Sequence, residues 1–173
     1  MTSPDSLYQC IPSKAAETLN KALLTGYLAL ANAPETRSSH YFAGRYENVY
    51  IGPTQLPAYA ELLRIARELA ADILATETGC LKVGGWFNAM QPGQATVMHS
   101  HDDADEVLSA VYYVEVPPGS GDLVLMAEQH PVIVSPQVGS FVFFSPHLQH
   151  EVTANCSSGL RLSIGMNVGY VTG

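Results

Sequence analysis

Apolar side chains recur along this chain with two different periods, and the change falls near residue 80. Upstream, Leu19, Leu23 and Leu30 return at helical spacing after Ser13, a residue type that caps helices, and the pattern stops before Pro34. A second helix is predicted from Pro57, which suits a first turn, through Leu62, Ile65, Leu69 and Ile73 to a stop at Gly79. Between them, HYFAGRYENVYIGP is aromatic and β-prone, and reads as a strand or ordered loop near the mouth of a site. Downstream the runs CLKVGGWFNAM, QATVMHSH, EVLSAVYYVEV, DLVLMA, PVIVS, GSFVFFS, LQHEVTA and LRLSIGMNVGYV are short, rich in β-branched and aromatic residues, and separated by turn signals such as PPGSGD and SPQVG. Eight such runs without alternating helices predict a mainly β fold with N-terminal helices, a sandwich or barrel-like jelly roll rather than a doubly wound sheet.

Length adds one constraint: 173 residues suit a single domain over 1–173, with no repeat or linker to divide it. Residues 1–79 then supply mainly helical support and a substrate loop, and 80–173 the β core. A net charge of −8, without any block of Lys or Arg, argues against nucleic acid or an anionic membrane as partner. Three widely spaced cysteines, Cys10, Cys80 and Cys156, fit neither a disulfide framework nor a metal knuckle, and predict reduced thiols in a cytoplasmic protein. No basic start followed by an apolar segment opens the sequence, and no apolar run reaches the ~18 residues of a membrane span.

Candidate chemistry concentrates in the strand-rich half. In an extended strand the side chains at i and i+2 point the same way, so His99 with His101, or His101 with Asp103, would face a common interior. A third donor from a distant strand completes the two-histidine, one-carboxylate face of non-haem Fe(II) sites, and His150 in SPHLQHEV is the candidate. Arg161, in the otherwise apolar RLSIGMN, has no Asp or Glu near it in sequence. A buried guanidinium needs a partner, and a bound carboxylate is a natural one, with the Ser163 hydroxyl on the same face.

The ordered series PGQ, HxH/HxD, LSAVYYV, SGDLVL, GSFVFFSPHLQHEV and RLSIGMN resembles the Fe(II)- and 2-oxoglutarate-dependent oxygenases, in particular the small bacterial and phage branch grouped with prolyl 4-hydroxylase-like enzymes. The resemblance spans roughly residues 80 to 170. It implies a cupin-like double-stranded β-helix with helices packed on one side. Its cofactors would be Fe(II), 2-oxoglutarate and O2, and its activity the oxidation, most simply hydroxylation, of an unactivated C–H bond with release of succinate and CO2. It further implies that His150 is the distal iron ligand, that Arg161 and Ser163 hold the C5 carboxylate of 2-oxoglutarate, and that Tyr113 and Asn88 face the co-substrate.

The register of the other ligands stays open. Spacing from Gly93 favours His99 and His101; spacing back from Ser109 favours His101 and Asp103 and restores an anionic ligand to the iron, which tilts the choice slightly to His101, Asp103 and His150. For a small-molecule substrate, an amino acid or peptide among the candidates, Arg45, Tyr46 and Trp86 are the expected contacts. With so short a chain, either the pocket is small or a second subunit of a homodimer completes it. Two rival classes are a three-histidine cupin enzyme, dioxygenase or isomerase, on His99, His101 and His150 with no need for Arg161, and a jelly-roll binding protein without metal.

Overall fold

The computed structural model describes residues 8–100, 105–127 and 130–172. Two antiparallel sheets face each other. The strands are β1 (Tyr8–Pro12), β2 (Arg37–Phe42), β3 (Arg45–Tyr50), β4 (Leu81–Met90), β5 (Thr96–His99), β6 (Glu106–Glu115), β7 (Leu123–Ala127), β8 (His130–Val134), β9 (Ser140–Phe144), β10 (His150–Val152) and β11 (Arg161–Tyr170). The larger sheet runs β1-β9-β6-β11-β4-β3-β2 and the smaller β5-β10-β7-β8. The eight runs after residue 80 therefore become β4 to β11, dealt four to each sheet as a jelly roll. The N-terminal half lengthens the large sheet at both edges, with β1 against β9 and the β2–β3 hairpin against β4.

Helices α1 (Ala16–Leu30) and α2 (Pro57–Leu74) form where apolar periodicity predicts them. Helix α2 does not run to Gly79. Ala75 itself turns into the left-handed region (φ 50°), its N–H bonding the carbonyls of Ala71 and Asp72, and a short 3-10 turn over Thr78–Cys80 feeds β4. Nor does Ser13 cap the helical N–H groups of α1; its hydroxyl accepts from the Ala15 N–H at 3.3 Å, one residue before the helix.

Strand alternation divides the large sheet into two chemistries. One face of β4, β6, β9 and β11 carries Phe87, Ala110, Tyr112, Phe141, Phe143, Leu162, Ile164, Met166 and Val168, packed with Leu19, Leu23, Leu62 and Ala66 of the helices. The opposite face looks into the sandwich and includes Tyr113, Val142 and Phe144, packed with Leu123, Leu125 and Val134 of the small sheet. Because the period is two, the residues at 161, 163, 165 and 167 of β11 share that inner face. The helical layer thus supports the large sheet from behind and leaves the interior for polar groups.

Asn20 links the two layers. Its Oδ1 accepts from the Tyr112 hydroxyl at 2.6 Å, and its Nδ2 donates to the Val114 carbonyl at 2.9 Å. Burial raises the Tyr112 pKa to about 12, so this hydroxyl stays a donor across the physiological range. Replacing Asn20 with Ala removes both of these buried bonds. We expect a loss of about 1–3 kcal/mol, read as a lower urea midpoint with an unchanged slope.

Candidate active site

Strands β5 and β10 pair antiparallel, with His99 directly opposite His150. Their ring centroids lie 4.2 Å apart, and the Phe144 ring meets His150 edge-on at 4.9 Å. Each imidazole is braced in the same way: Nδ1 of His99 donates to the Val97 carbonyl at 2.8 Å, and Nδ1 of His150 to the Leu148 carbonyl at 2.9 Å. A carbonyl oxygen only accepts, so the Nδ1 atoms carry protons, and in the neutral form of each ring Nε2 is the atom left with the lone pair. Backbone bracing of this kind fixes the tautomer and ring orientation of metal-binding histidines. Among the described residues no third His, Cys, Asp or Glu completes a metal-binding group with them. His101 and Asp103, two of the expected ligands, lie outside the described residues.

The expected co-substrate residues come together on the inner face of the large sheet. Ser163 on β11 lies opposite Tyr113 on β6 and Asn88 on β4, and Arg161 occupies the next inward position of β11. Arg161 is 1% exposed, a guanidinium inside the sandwich. Its Nη1 donates to Ser163 Oγ at 3.0 Å and contacts Met90 Sδ at 3.7 Å, and its Cζ lies 5.5 Å from the Tyr113 ring centroid. Nε and Nη2 are buried with no hydrogen-bond partner among the described residues, as is the Tyr113 hydroxyl. No ion pair among the described residues involves Arg161.

Burial pulls the Arg161 pKa below the ordinary guanidinium value, Tyr113 being the largest opposing influence. Burial likewise pushes the Tyr113 phenol up, against the pull of Arg161, so the phenol remains an O–H donor. Two guanidinium nitrogens and one O–H, buried without acceptors among the described residues, match a carboxylate, which offers only acceptors.

Two cavities open from this wall. The inner, about 60 Å³, is lined by His99, His150, Ser109, Phe144 and Ser163 among others. The outer, about 440 Å³, is lined by His40, Glu47, Asn48, Tyr50, Val97, Ser100 and Asn167. Trp86, Asn88, Thr96 and His99 belong to both. Trp86 can lie flat there because Gly165 beneath it has no side chain; a Cβ on Gly165 would sit 2.8 Å from the indole ring.

The expected substrate residues fare unequally. Trp86 lines the outer cavity. Arg45 turns inward: through Nη1 and Nη2 its guanidinium bonds Glu47 Oε1, Asn88 Oδ1, the Ala95 carbonyl and Thr96 Oγ1 at 3.0–3.3 Å, while Nε is buried without a hydrogen-bond partner among the described residues. Tyr46 points away as the next residue of the strand, 52% exposed, its ring edge-on to Tyr41 at 5.1 Å. The same cavity is also lined by His40, Glu47, Asn48, Tyr50 and Asn167. Asn167 and Ser109 were readable from the period of two that links them to Arg161 and Tyr113. His40 was not, since it reaches the cavity from a left-handed backbone (φ 56°) that a strand pattern does not announce.

A family model described as putative 2OG-Fe(II) oxygenase matches residues 84–135. A search of curated proteins gave no match. Among solved structures, a Pseudomonas putida prolyl-4-hydroxylase superimposes with a TM-score of 0.75 at 21% identity, covering 94% of this chain and 92% of that one. A non-heme alpha ketoglutarate dependent carbocyclase from nogalamycin biosynthesis gives 0.75 at 16% identity over 94% and 79%. The viral collagen prolyl hydroxylase of Paramecium Bursaria Chlorella virus-1 gives 0.69 at 15% identity over 95% and 97%. At these identities the likeness to each solved structure is one of fold.

An unpaired buried guanidinium costs stability that an apolar side chain of similar volume does not. Arg161→Met should therefore stabilise the ligand-free protein, by about 1–3 kcal/mol, while abolishing the rise in melting temperature expected when 2-oxoglutarate is added to the wild type. Differential scanning calorimetry with and without 2-oxoglutarate checks both halves.

Proposed function

Sequence match and fold agree on the 2OG-Fe(II) oxygenases, and on that premise we propose that this chain is an oxidoreductase of that kind, hydroxylating an unactivated C–H bond of a small molecule held in the outer cavity. The observation that carries the reading is the buried Arg161, with donors to spare, beside a pair of histidines braced at Nδ1. The residues present fit both groups. His99 and His150 would hold Fe(II) through Nε2, with the third donor from His101 or Asp103; Arg161, Ser163 and Tyr113 would hold the far carboxylate of 2-oxoglutarate.

The pairing of His99 with His150 favours His99 as a ligand, and so moves the balance from the set His101, Asp103 and His150 towards one that contains His99. Bound iron would supply the oxidising chemistry, O2 activation coupled to conversion of 2-oxoglutarate into succinate and CO2. The chain does the rest. Val97 and Leu148 hold the imidazoles in the tautomer a metal needs. Phe144, Val111 and Leu123 keep the inner cavity apolar where they line it, which limits water beside a reactive centre. Trp86, flat on Gly165, walls both cavities and would set the distance between a substrate carbon and the iron.

For the substrate, the outer cavity offers Glu47, Asn48, Tyr50 and Asn167 as polar contacts and, among the described residues, neither Lys nor Arg. With Arg45 engaged elsewhere, recognition of an amino acid or peptide through its carboxylate loses its anchor. Solved structures of this fold include enzymes named for peptide and for small-molecule chemistry, so the occupant follows from the cavity rather than the fold.

Iron-loaded wild type should convert 2-oxoglutarate to succinate, followed by NMR under air. His99→Ala and His150→Ala should each weaken iron binding by more than about 100-fold and abolish turnover. Iron binding without 2-oxoglutarate turnover would favour the three-histidine cupin class, and absence of both a binding protein. His101→Ala and Asp103→Ala, measured in the same way, identify the third donor by which of them loses the metal.

A further inference from the structure

Strand β5 is poorly placed to hold a metal ligand. It is an edge strand of four residues in the small sheet, its ladder to β10 is irregular between the Val152–Thr96 and His150–His99 pairs, and Val97 and Met98 are 42% and 37% exposed. Upstream, the turn before it is fixed by backbone bonds between Gly93 and Asn155 at 2.7 Å and between Asn155 and Gln94 at 2.8 Å. Downstream, His99 meets His150. Between these anchors lie Ala95 and Thr96, and Arg45 reaches both from β3 in the opposite sheet: Nη2 donates to the Ala95 carbonyl at 3.0 Å and to Thr96 Oγ1 at 3.3 Å.

The same guanidinium closes a triangle. Its Nη1 donates to Asn88 Oδ1 at 3.3 Å, and Asn88 Nδ2 donates to Thr96 Oγ1 at 3.3 Å. Glu47 Oε1, 3.3 Å from Nη2, supplies the counter-charge in a pair whose side chains are 9% and 10% exposed. Thr96 Oγ1 in turn lies 3.9 Å from Met90 Sδ, the sulfur that Arg161 Nη1 touches from the other side. Among the described residues, then, the entry of β5 is tied to the large sheet by the side chains of Arg45 and Asn88 meeting at Thr96, three residues before His99.

We infer that Arg45 is a positioning residue of the iron site: paired with Glu47, it clamps Ala95 and Thr96 against Asn88 and so fixes the strand that presents His99. The inference rests on His99 binding the metal. It assigns Arg45 no contact with substrate or iron. A planar fork that serves three segments at once is a task for arginine, because the point charge of lysine cannot span the same acceptors.

The test uses the full chain with Co(II) as the probe metal, titrated by its ligand-field absorption, and hydrogen exchange of the metal-free protein read on peptides that contain Thr96–His99. Arg45→Met should weaken Co(II) binding by about 10–100-fold, the usual effect of removing an outer support of a metal ligand. It should also speed exchange over Thr96–His99 while leaving peptides from β7 and β9 unchanged. Arg45→Lys should recover little of either. Thr96→Val should reproduce both effects, Thr96→Ser should behave as wild type, and Arg45→Met combined with Thr96→Val should be no worse than the more damaging single variant, since both break one contact.

Wild-type Co(II) affinity in Arg45→Met, or a rise in exchange spread evenly over the sheets, overturns the positioning role. If wild type itself fails to bind Co(II), the iron reading falls and the positioning role falls with it; faster exchange over Thr96–His99 in Arg45→Met then marks a structural clamp on β5 alone.

Discussion

A guanidinium has been sealed between two β-sheets with part of its hydrogen-bonding capacity unused. Arg161 is 1% exposed and, among the described residues, makes one bond to a side-chain oxygen, at Ser163, and keeps Nε and Nη2 without acceptors. An ionised group in that position raises the free energy of the ligand-free protein, and folds retain such groups where a ligand resolves the deficit. The rest of the sandwich is arranged around it. Tyr113 contributes a buried hydroxyl in the same condition, and burial keeps that phenol protonated. The helical layer behind the sheet holds both strands through apolar packing, so the polar interior need not supply the stability that it lowers.

Two different means of fixing side chains operate at the two ends of the site. On the large sheet, long regular ladders between β11 and its neighbours β4 and β6 set Arg161, Ser163, Tyr113 and Asn88 by register alone. On the small sheet, β5 and β10 are short, and the imidazoles of His99 and His150 are held instead by their own backbone carbonyls and, at the entry of β5, by Arg45. An arginine end built on rigid ladders and a histidine end built on supported edges differ in what disturbs them. Substitutions behind the large sheet act on global stability, whereas those around Thr96 act on ligand geometry.

Much of this was legible in the sequence because the signals were periodic. The eight strand runs, the helical spacing of Leu62 to Ile73, and the inward face shared by Arg161 and Ser163 follow from periods of 3.6 and two. Strand β1 and the pairing of β2 with β3 across the edge of the large sheet were less visible, since short edge strands carry little alternation. The inward turn of Arg45 was hidden for a specific reason: an arginine in a polar, aromatic segment resembles an exposed one, and its partners Asn88, Ala95 and Thr96 lie more than 40 positions away. His40 required a left-handed backbone that no local pattern encodes.

The central claim is that Arg161 awaits the second carboxylate of a dicarboxylic acid. The direct measurement compares, by calorimetric titration of the metal-loaded wild type under anaerobic conditions, 2-oxoglutarate with 2-oxopentanoate, which keeps the keto acid and lacks the far carboxylate. Tighter binding of 2-oxoglutarate by at least about 30-fold, with the preference lost in Arg161→Met, is the expected result. Equal affinity for the two acids, or a preference that survives the substitution, would contradict it.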